Sequence, residues 1–202
     1  MQVYVIRHPP VIKDSTVCHG QYDFPINSEK ENIFLEYYSQ KINFSSSSLY
    51  SSPLERCLSF AKKLKKNSQS QETIKQDKRL MEFSYGDWEG KKWSDIDNNS
   101  LDNWMKNYVN QSPPGGESLI DFKKRVDDFF QYLLKEENSL GSHETHPVVI
   151  VTHIGVIRIL FSTLLNVPLE SIFDIDVDYG AILNLDYQKK WSIVSFQRNL
   201  IH

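Results

Sequence analysis

The amino-acid sequence predicts an α/β protein, a three-layer α/β/α arrangement with a mostly parallel central sheet and helices on both faces. Three observations carry that reading. Gln2-Val3-Tyr4-Val5-Ile6 and Val148-Val149-Ile150-Val151-Thr152 are continuous apolar, β-branched runs with the length and composition of strands buried on both faces. Each run spills into a histidine, His8 after Arg7 in the first and His153 in the second. Around them, strand-like runs alternate with helix-like stripes, as a parallel sheet with crossover helices requires. No internal repeat and no break in composition divides the chain, so 1–202 is expected to form a single domain.

After the first strand, 9–27 is rich in Pro, Gly, Asp and Ser without sustained periodicity, which predicts a long loop over the strand's carboxyl end. Residues 28–42 carry Ile33, Leu35, Tyr37, Tyr38 and Ile42 at roughly helical spacing. The serine run 45–48 covers a turn into a short strand at Leu49-Tyr50. Ser51-Ser52-Pro53 then predicts a helix start, a serine cap with proline in the first helical position, and that helix runs to about Lys66. Lys62, Lys63, Lys65 and Lys66 complement the negative end of its dipole and are assigned no function. Residues 72–78 read as a strand, 80–90 as a loop carrying aromatic and acidic residues, and 93–108 as a helix. Pro113-Pro114-Gly115-Gly116-Glu117-Ser118 breaks the chain ahead of the clearest helix, whose stripe of Leu119, Phe122, Val126, Phe129, Phe130 and Leu133 is core. The strand ending at His153 leads through Gly155 into an apolar helix over 156–165, stopped near Pro168. Three strands, 172–177, 180–186 and 192–197, are expected to close the chain.

A hydrophobic fraction of 40% and a charged fraction of 24% are ordinary for a soluble globular chain, and 202 residues suffice to bury a substantial core. Lys and Arg total 23 against 26 acidic residues, a net charge of −3 that disfavours nucleic acid as a partner. No apolar run approaches a membrane span, and residues 1–6 read as a strand rather than a leader, so no membrane association and a cytoplasmic location are expected. Cys18 and Cys57 are too few for a disulfide framework and lack metal-type spacing. His143 and His146 lie in a loop with Gly141, Ser142 and Pro147 and no further Cys or His beside them, so neither metal nor cofactor is expected.

Ligands of open α/β sheets bind beyond the carboxyl ends of the strands, where Arg7, His8 and His153 all fall. Arg56 lies in the first turn of its helix, where free N–H groups and the dipole favour an anion and a guanidinium adds a bidentate clamp. Two arginines and two histidines, each at the end of an element, together suit a phosphoryl group. Singly, each has a plainer reading: Arg7 as a surface cation, Arg56 paired to Glu55 or Glu82, either histidine as a hydrogen-bonded residue at a strand end.

Five segments in order give the chain a resemblance to the histidine phosphatases, the phosphoglycerate mutase-like superfamily, over nearly its whole length. Val5-Ile6-Arg7-His8 resembles the Arg-His motif and Ser51-Ser52-Pro53-Leu54-Glu55-Arg56 the Ser-Ser-Pro-x-x-Arg segment. Leu80 to Gly90 resembles the L-x-E-x-x-x-G-x-W-E-G stretch, with Glu82 as its acid. Gly115-Gly116-Glu117-Ser118 matches the Gly-Gly-Glu-Ser helix start, and Thr152-His153-Ile154-Gly155-Val156-Ile157-Arg158 the T-H-x-G-x-x-R segment. The resemblance implies that His8 attacks phosphorus to form a phosphohistidine that water then hydrolyses. Its reacting nitrogen must be unprotonated, so the other must donate to a fixed acceptor such as a carbonyl of the following loop. Arg7, Arg56 and His153 would hold the phosphoryl oxygens, and Glu82 would protonate the leaving oxygen and later take a proton from water. That role calls for a carboxyl whose pKa is raised by burial or by the phosphate.

Two departures bear on the site. Pro9-Pro10 stand where many members continue with Gly, which removes two backbone donors. Ile154 stands where Gly is common, although its N–H remains available to a phosphate oxygen. The run Thr16 to Ile26 resembles the G-x-C-Y-G-x-x-D-x-P-L loop of the alpha-ribazole phosphatase branch, which acts in cobalamin assembly, with His19 for Tyr and Ile26 for Leu. By analogy Gln21 reaches the phosphoryl group or its ester oxygen. Only 91–113 separates the Glu82 loop from the Gly-Gly-Glu-Ser helix, where mutases of the superfamily carry a longer covering insertion, so a phosphatase is favoured over a mutase. The expected partner is a small-molecule phosphate ester, and a homodimer stays open. A broad sugar-phosphate phosphatase, a phosphoglycerate mutase and a non-catalytic phosphate-binding protein are the alternatives.

Overall fold

A computed structural model describes residues 1–71, 73–139 and 146–198. Among these, the strands are β1 (Gln2–Arg7), β2 (Ser48–Ser51), β3 (Ile74–Gln76), β4 (Val148–Thr152), β5 (Ile182–Tyr187) and β6 (Trp191–Gln197). They form one sheet in the order β3-β2-β4-β1-β5-β6. The pairs β1/β4, β2/β4 and β2/β3 are parallel, while β5 pairs antiparallel with both β1 and β6. The helices are α1 (Ser28–Lys41), α2 (Glu55–Asn67), α3 (Asn98–Met105), α4 (Leu119–Ser139) and α5 (Ile154–Leu165). This mixed, mostly parallel sheet with helices around it is the α/β class that the alternation predicts.

The pleat explains why β1 and β4 read as unbroken apolar runs. Val3, Val5, Val148 and Ile150 enter one core with residues of α4 and α5, while Ile6, Val149 and Val151 enter a second with residues of α1 and α2. The α4 stripe from Leu119 to Leu133 is buried as its spacing requires. Because β1 and β4 are adjacent and parallel, their carboxyl ends emerge side by side, and the His8 N–H donates to the Thr152 carbonyl at 2.9 Å. Among the described residues, no helix is long and apolar enough to cross a membrane.

Several expected elements are corrected. Residues 172–177 form no strand: Leu169–Asp174 is a 3-10 helix. Ile172 and Val177 are buried while Asp174 and Asp176 are exposed, which imitates a strand's alternation. The carbonyls of Phe173 and Ile175 accept from Arg158 rather than from a neighbouring strand. The helix expected over 93–108 divides into a 3-10 turn at Trp93–Asp95 and α3, because Ile96 is extended and Asp97 caps a new start by accepting from Ser100 N at 2.8 Å. Helix α2 begins at Glu55, with Leu54 as its cap residue, two residues later than the Ser-Pro signal places it. Helix α1 buries Phe34 and Tyr38 and leaves Ile33 40% exposed, so its stripe is turned from the one expected. The strand over 72–78 is shortened to β3; Glu72 and His143 lie outside the described residues.

Candidate active site

At the end of β1, His8 is 4% exposed, and its Nδ1 lies 2.7 Å from the Pro9 carbonyl. A carbonyl only accepts, so Nδ1 carries the proton and Nε2 is left as a bare acceptor. Burial, then the nearby Arg56 and Arg7, push the imidazole well below its ordinary value. The ring is therefore neutral near pH 7. The acceptor expected in the following loop is the carbonyl of Pro9, a residue that itself offers no N–H.

His153, at the end of β4, packs its ring edge against His8 with centroids 5.2 Å apart. Its Nδ1 accepts from Arg56 Nε at 3.3 Å, and on that assignment Nε2 donates to Ser52 Oγ at 2.8 Å. Ser52, expected to cap α2, thus orients a histidine as well as accepting from Leu54 N at 3.3 Å. Burial, then Arg56 and His8, hold His153 well below the ordinary imidazole value. Cys57 packs beneath this ring, 3.4 Å from Nε2, and burial pushes its thiol up.

Arg56 pairs with neither Glu55 nor Glu82. Its Nη1 donates to Asp23 Oδ1 at 2.9 Å and to the Tyr22 carbonyl at 3.0 Å, and its Nη2 to the Gly20 carbonyl at 2.7 Å. Asp23 Oδ2 also accepts from Glu55 N at 2.8 Å, so the anion at the start of α2 is the chain's own carboxylate. Arg7 is the less committed cation. Its guanidinium stacks 3.8 Å from the centroid of Tyr179, whose ring also meets His8 edge-on at 5.5 Å. One Nη1 contact to the Val177 carbonyl holds it, and its buried Nε has no partner among the described residues.

Glu82 approaches from the other side. Its Oε1 accepts from Phe83 N at 3.0 Å and from Gly155 N at 3.1 Å, in the first turn of α5. A Cβ at Gly155 would overlap Oε1 and come within 2.9 Å of Phe122, so a glycine is needed here for the carboxylate to fit. Arg125, on α4, fixes the loop: it donates to the carbonyls of Arg79 and Met81 at 2.8 Å and of Glu82 at 2.9 Å. The same guanidinium grips Glu117 at 2.8 and 2.7 Å, and Glu117 accepts from Ser84 N at 2.8 Å. Gln21 donates to the Glu82 carbonyl at 3.0 Å, tying the 9–27 loop to the Glu82 loop. Ile154 opens α5, where the N–H groups of the first turn have no intrahelical partner. Of the loop aromatics, Trp88 is buried against Trp104 and Tyr85 lines a cavity beside Glu82.

The structure thus brings Arg7, His8, Arg56, Glu82 and His153 to one edge of the sheet. Tyr179, Asp23, Ser52 and Arg125 complete the arrangement. A sequence model of the "Histidine phosphatase superfamily (branch 1)" matches residues 3–199. A candidate phosphoserine phosphatase 2 of Hydrogenobacter thermophilus is 25% identical over 209 residues, 100% of this chain and 97% of that one. The adenosylcobalamin/alpha-ribazole phosphatase of Escherichia coli is 26% identical over 116 residues, covering 56% of this chain and 54% of that protein. Among solved structures, the alpha-ribazole phosphatase of Shigella flexneri superposes with a TM-score of 0.82 at 23% identity, over 97% of this chain and 96% of that one, a likeness of fold. With a model of the family covering nearly all of it and these phosphatases among its relatives, the chain belongs to the histidine phosphatase superfamily and is a phosphatase.

Proposed function

We propose that the chain is a metal-independent phosphomonoesterase that works through a phosphohistidine on His8. The observation that carries this is the state of His8: buried, neutral, with Nδ1–H held by the Pro9 carbonyl and Nε2 free beside Arg7. The Nε2 lone pair attacks phosphorus, the ester P–O bond breaks, and Glu82 gives its proton to the departing oxygen. Water then attacks the phosphohistidine, Glu82 recovers a proton from it, and the P–N electron pair returns to Nε2. Arg7, held by a single Nη1 contact to the Val177 carbonyl, turns its guanidinium to the phosphoryl oxygens. Arg56 adds the Nη2 hydrogen not used by Gly20, and His153 fixes the orientation of Arg56.

Two leaving groups have specific support. The loop from Thr16 to Ile26 and the alpha-ribazole phosphatase relatives favour alpha-ribazole 5′-phosphate, and with it a place in cobalamin biosynthesis. The full-length match to a phosphoserine phosphatase favours a phosphorylated small acid. The mechanism is tested with a generic aryl phosphate in the presence of chelator. Wild-type turnover should persist, and His8→Ala should lower it by about a thousandfold or more. Comparable activity in the variant, or loss of wild-type activity to chelator, overturns the proposal.

A further inference from the structure

We propose that Arg158 binds an anionic substituent of the leaving group, so that the preferred substrates are phosphate monoesters that carry a second anionic group close to the ester. This rests on the assignment of His8 and Glu82 above. A cavity of about 170 Å³ opens beside Glu82, and neither His8, Arg7, Arg56 nor His153 lines it. Because Glu82 lines it, the cavity lies on the side of the acid that protonates the ester oxygen, where the rest of the leaving group has to go.

Arg158 lies about one turn into α5 from Ile154 and reaches this cavity. Its Nε donates to the Ile175 carbonyl and its Nη2 to the Phe173 carbonyl, both at 2.9 Å. Those two neutral acceptors aim the guanidinium without neutralising it. Its Nη1 makes no hydrogen bond among the described residues, and no described carboxylate lies within 4 Å of the group. Glu82, Asp176 and Asp174 act on it only across space, and burial lowers its pKa. His19, also in the lining, is held below its ordinary value by burial and is neutral near pH 7. Phe122, Ile154, Ile172 and Phe173 supply apolar walls, and a charge-assisted bond in such surroundings is stronger than one in water.

The test compares two esters that differ only at the group Arg158 would read: 3-phosphoglycerate, with a carboxylate, and glycerol 3-phosphate, with a hydroxymethyl in its place. Wild-type kcat/KM should favour the acid by about tenfold to a hundredfold, the scale of one charge-assisted hydrogen bond. Arg158→Met should bring that ratio close to one, and Arg158→Lys should keep part of it. Because the readout is a ratio, general losses of activity cancel, and if the variants fail to fold the wild-type ratio decides. A wild-type ratio near one overturns the inference, as does an unchanged ratio in Arg158→Met or better turnover of alpha-ribazole 5′-phosphate than of the acid. Arg158 would then serve only as a counter-charge to Glu82. Should any of these occur while aryl phosphate turnover still depends on His8, the mechanism stands and the acid site alone fails. Absence of His8-dependent turnover defeats the mechanism itself.

Discussion

His8 can attack only as a neutral ring, and burial beside two guanidinium groups keeps it so. Its pKa, and that of His153, are shifted down, so both rings should stay uncharged on the acid side of the usual imidazole range. In an NMR titration of the unliganded protein, neither ring should begin to protonate between pH 7.5 and about 6.5. A midpoint at or above 6.5 for His8 contradicts the proposed nucleophile. Gly155 offers a second test of a single position. Gly155→Ala places a methyl where Glu82 Oε1 now sits and displaces the carboxylate rather than the backbone. Alkyl phosphates, whose leaving oxygen needs a proton, should lose about a hundredfold in kcat, and a good aryl leaving group much less. Equal losses for both substrates would show that Glu82 is not the acid. Arg7, His8, Arg56 and His153 are legible in the sequence because each falls at the end of a recognisable element. Asp23 and Tyr179 are not, since one partners Arg56 from a loop 33 residues away and the other meets Arg7 only once β5 is docked beside β1. No spacing rule connects such pairs.

The loop that carries Glu82 has little regular structure, so its geometry is imposed by α4 and by the turn before it. Gly86 holds φ at +56°, and the backbone of Gly115 and Gly116 fills the place where a Cβ would project. Arg125 then binds three carbonyls within four residues, those of Arg79, Met81 and Glu82, and locks Glu117 with a bidentate pair. Arg125→Met should cost about 2–3 kcal/mol of stability, measured by urea unfolding, because carbonyls and Glu117 lose their donor together. It should also shift selectivity among phosphate esters toward good leaving groups, as Glu82 loses its fixed position. A variant with wild-type stability and an unchanged dependence on leaving group would remove Arg125 from this role. The helix that presents Arg125 is plain in the sequence, from its Gly-Gly-Glu-Ser start and apolar stripe. The partners of Arg125 are not, because backbone carbonyls leave no mark on side-chain pattern. The same blindness produces the false strand at 172–177, where burial alternates but Arg158 takes the carbonyls, and the overlong helix at 93–108, where Asp97 restarts the chain.

At the scale of the whole molecule, the two histidines sit where the central strands β1 and β4 leave the sheet, between two cores that close on opposite faces. Charging either ring therefore opposes the packed state rather than a mobile edge. The sign follows from the direction of the shifts. Both folded-state values are depressed below that of an unfolded imidazole, so below about pH 6.5 the unfolded chain binds protons that the folded chain refuses. Stability is complete above that pH and declines as pH falls through the window down to the folded values. The slope approaches about 1.4 kcal/mol per pH unit for each ring. His19, depressed mainly by burial but more exposed, adds in the same direction to a smaller degree. Carboxylates as a class titrate further down, near and below about pH 4, so the interval between about pH 6.5 and 5 reports chiefly on the imidazoles. Urea unfolding at pH 7.5, 6.5, 5.8 and 5.0 should give a flat upper limb and a steep lower one. His8→Gln, which removes one titrating ring, should make the lower limb shallower by about half of the histidine contribution. A wild-type stability that stays level to pH 5, or a variant with the same slope as wild type, would mean that the site's electrostatics are not coupled to the fold as the buried geometry requires.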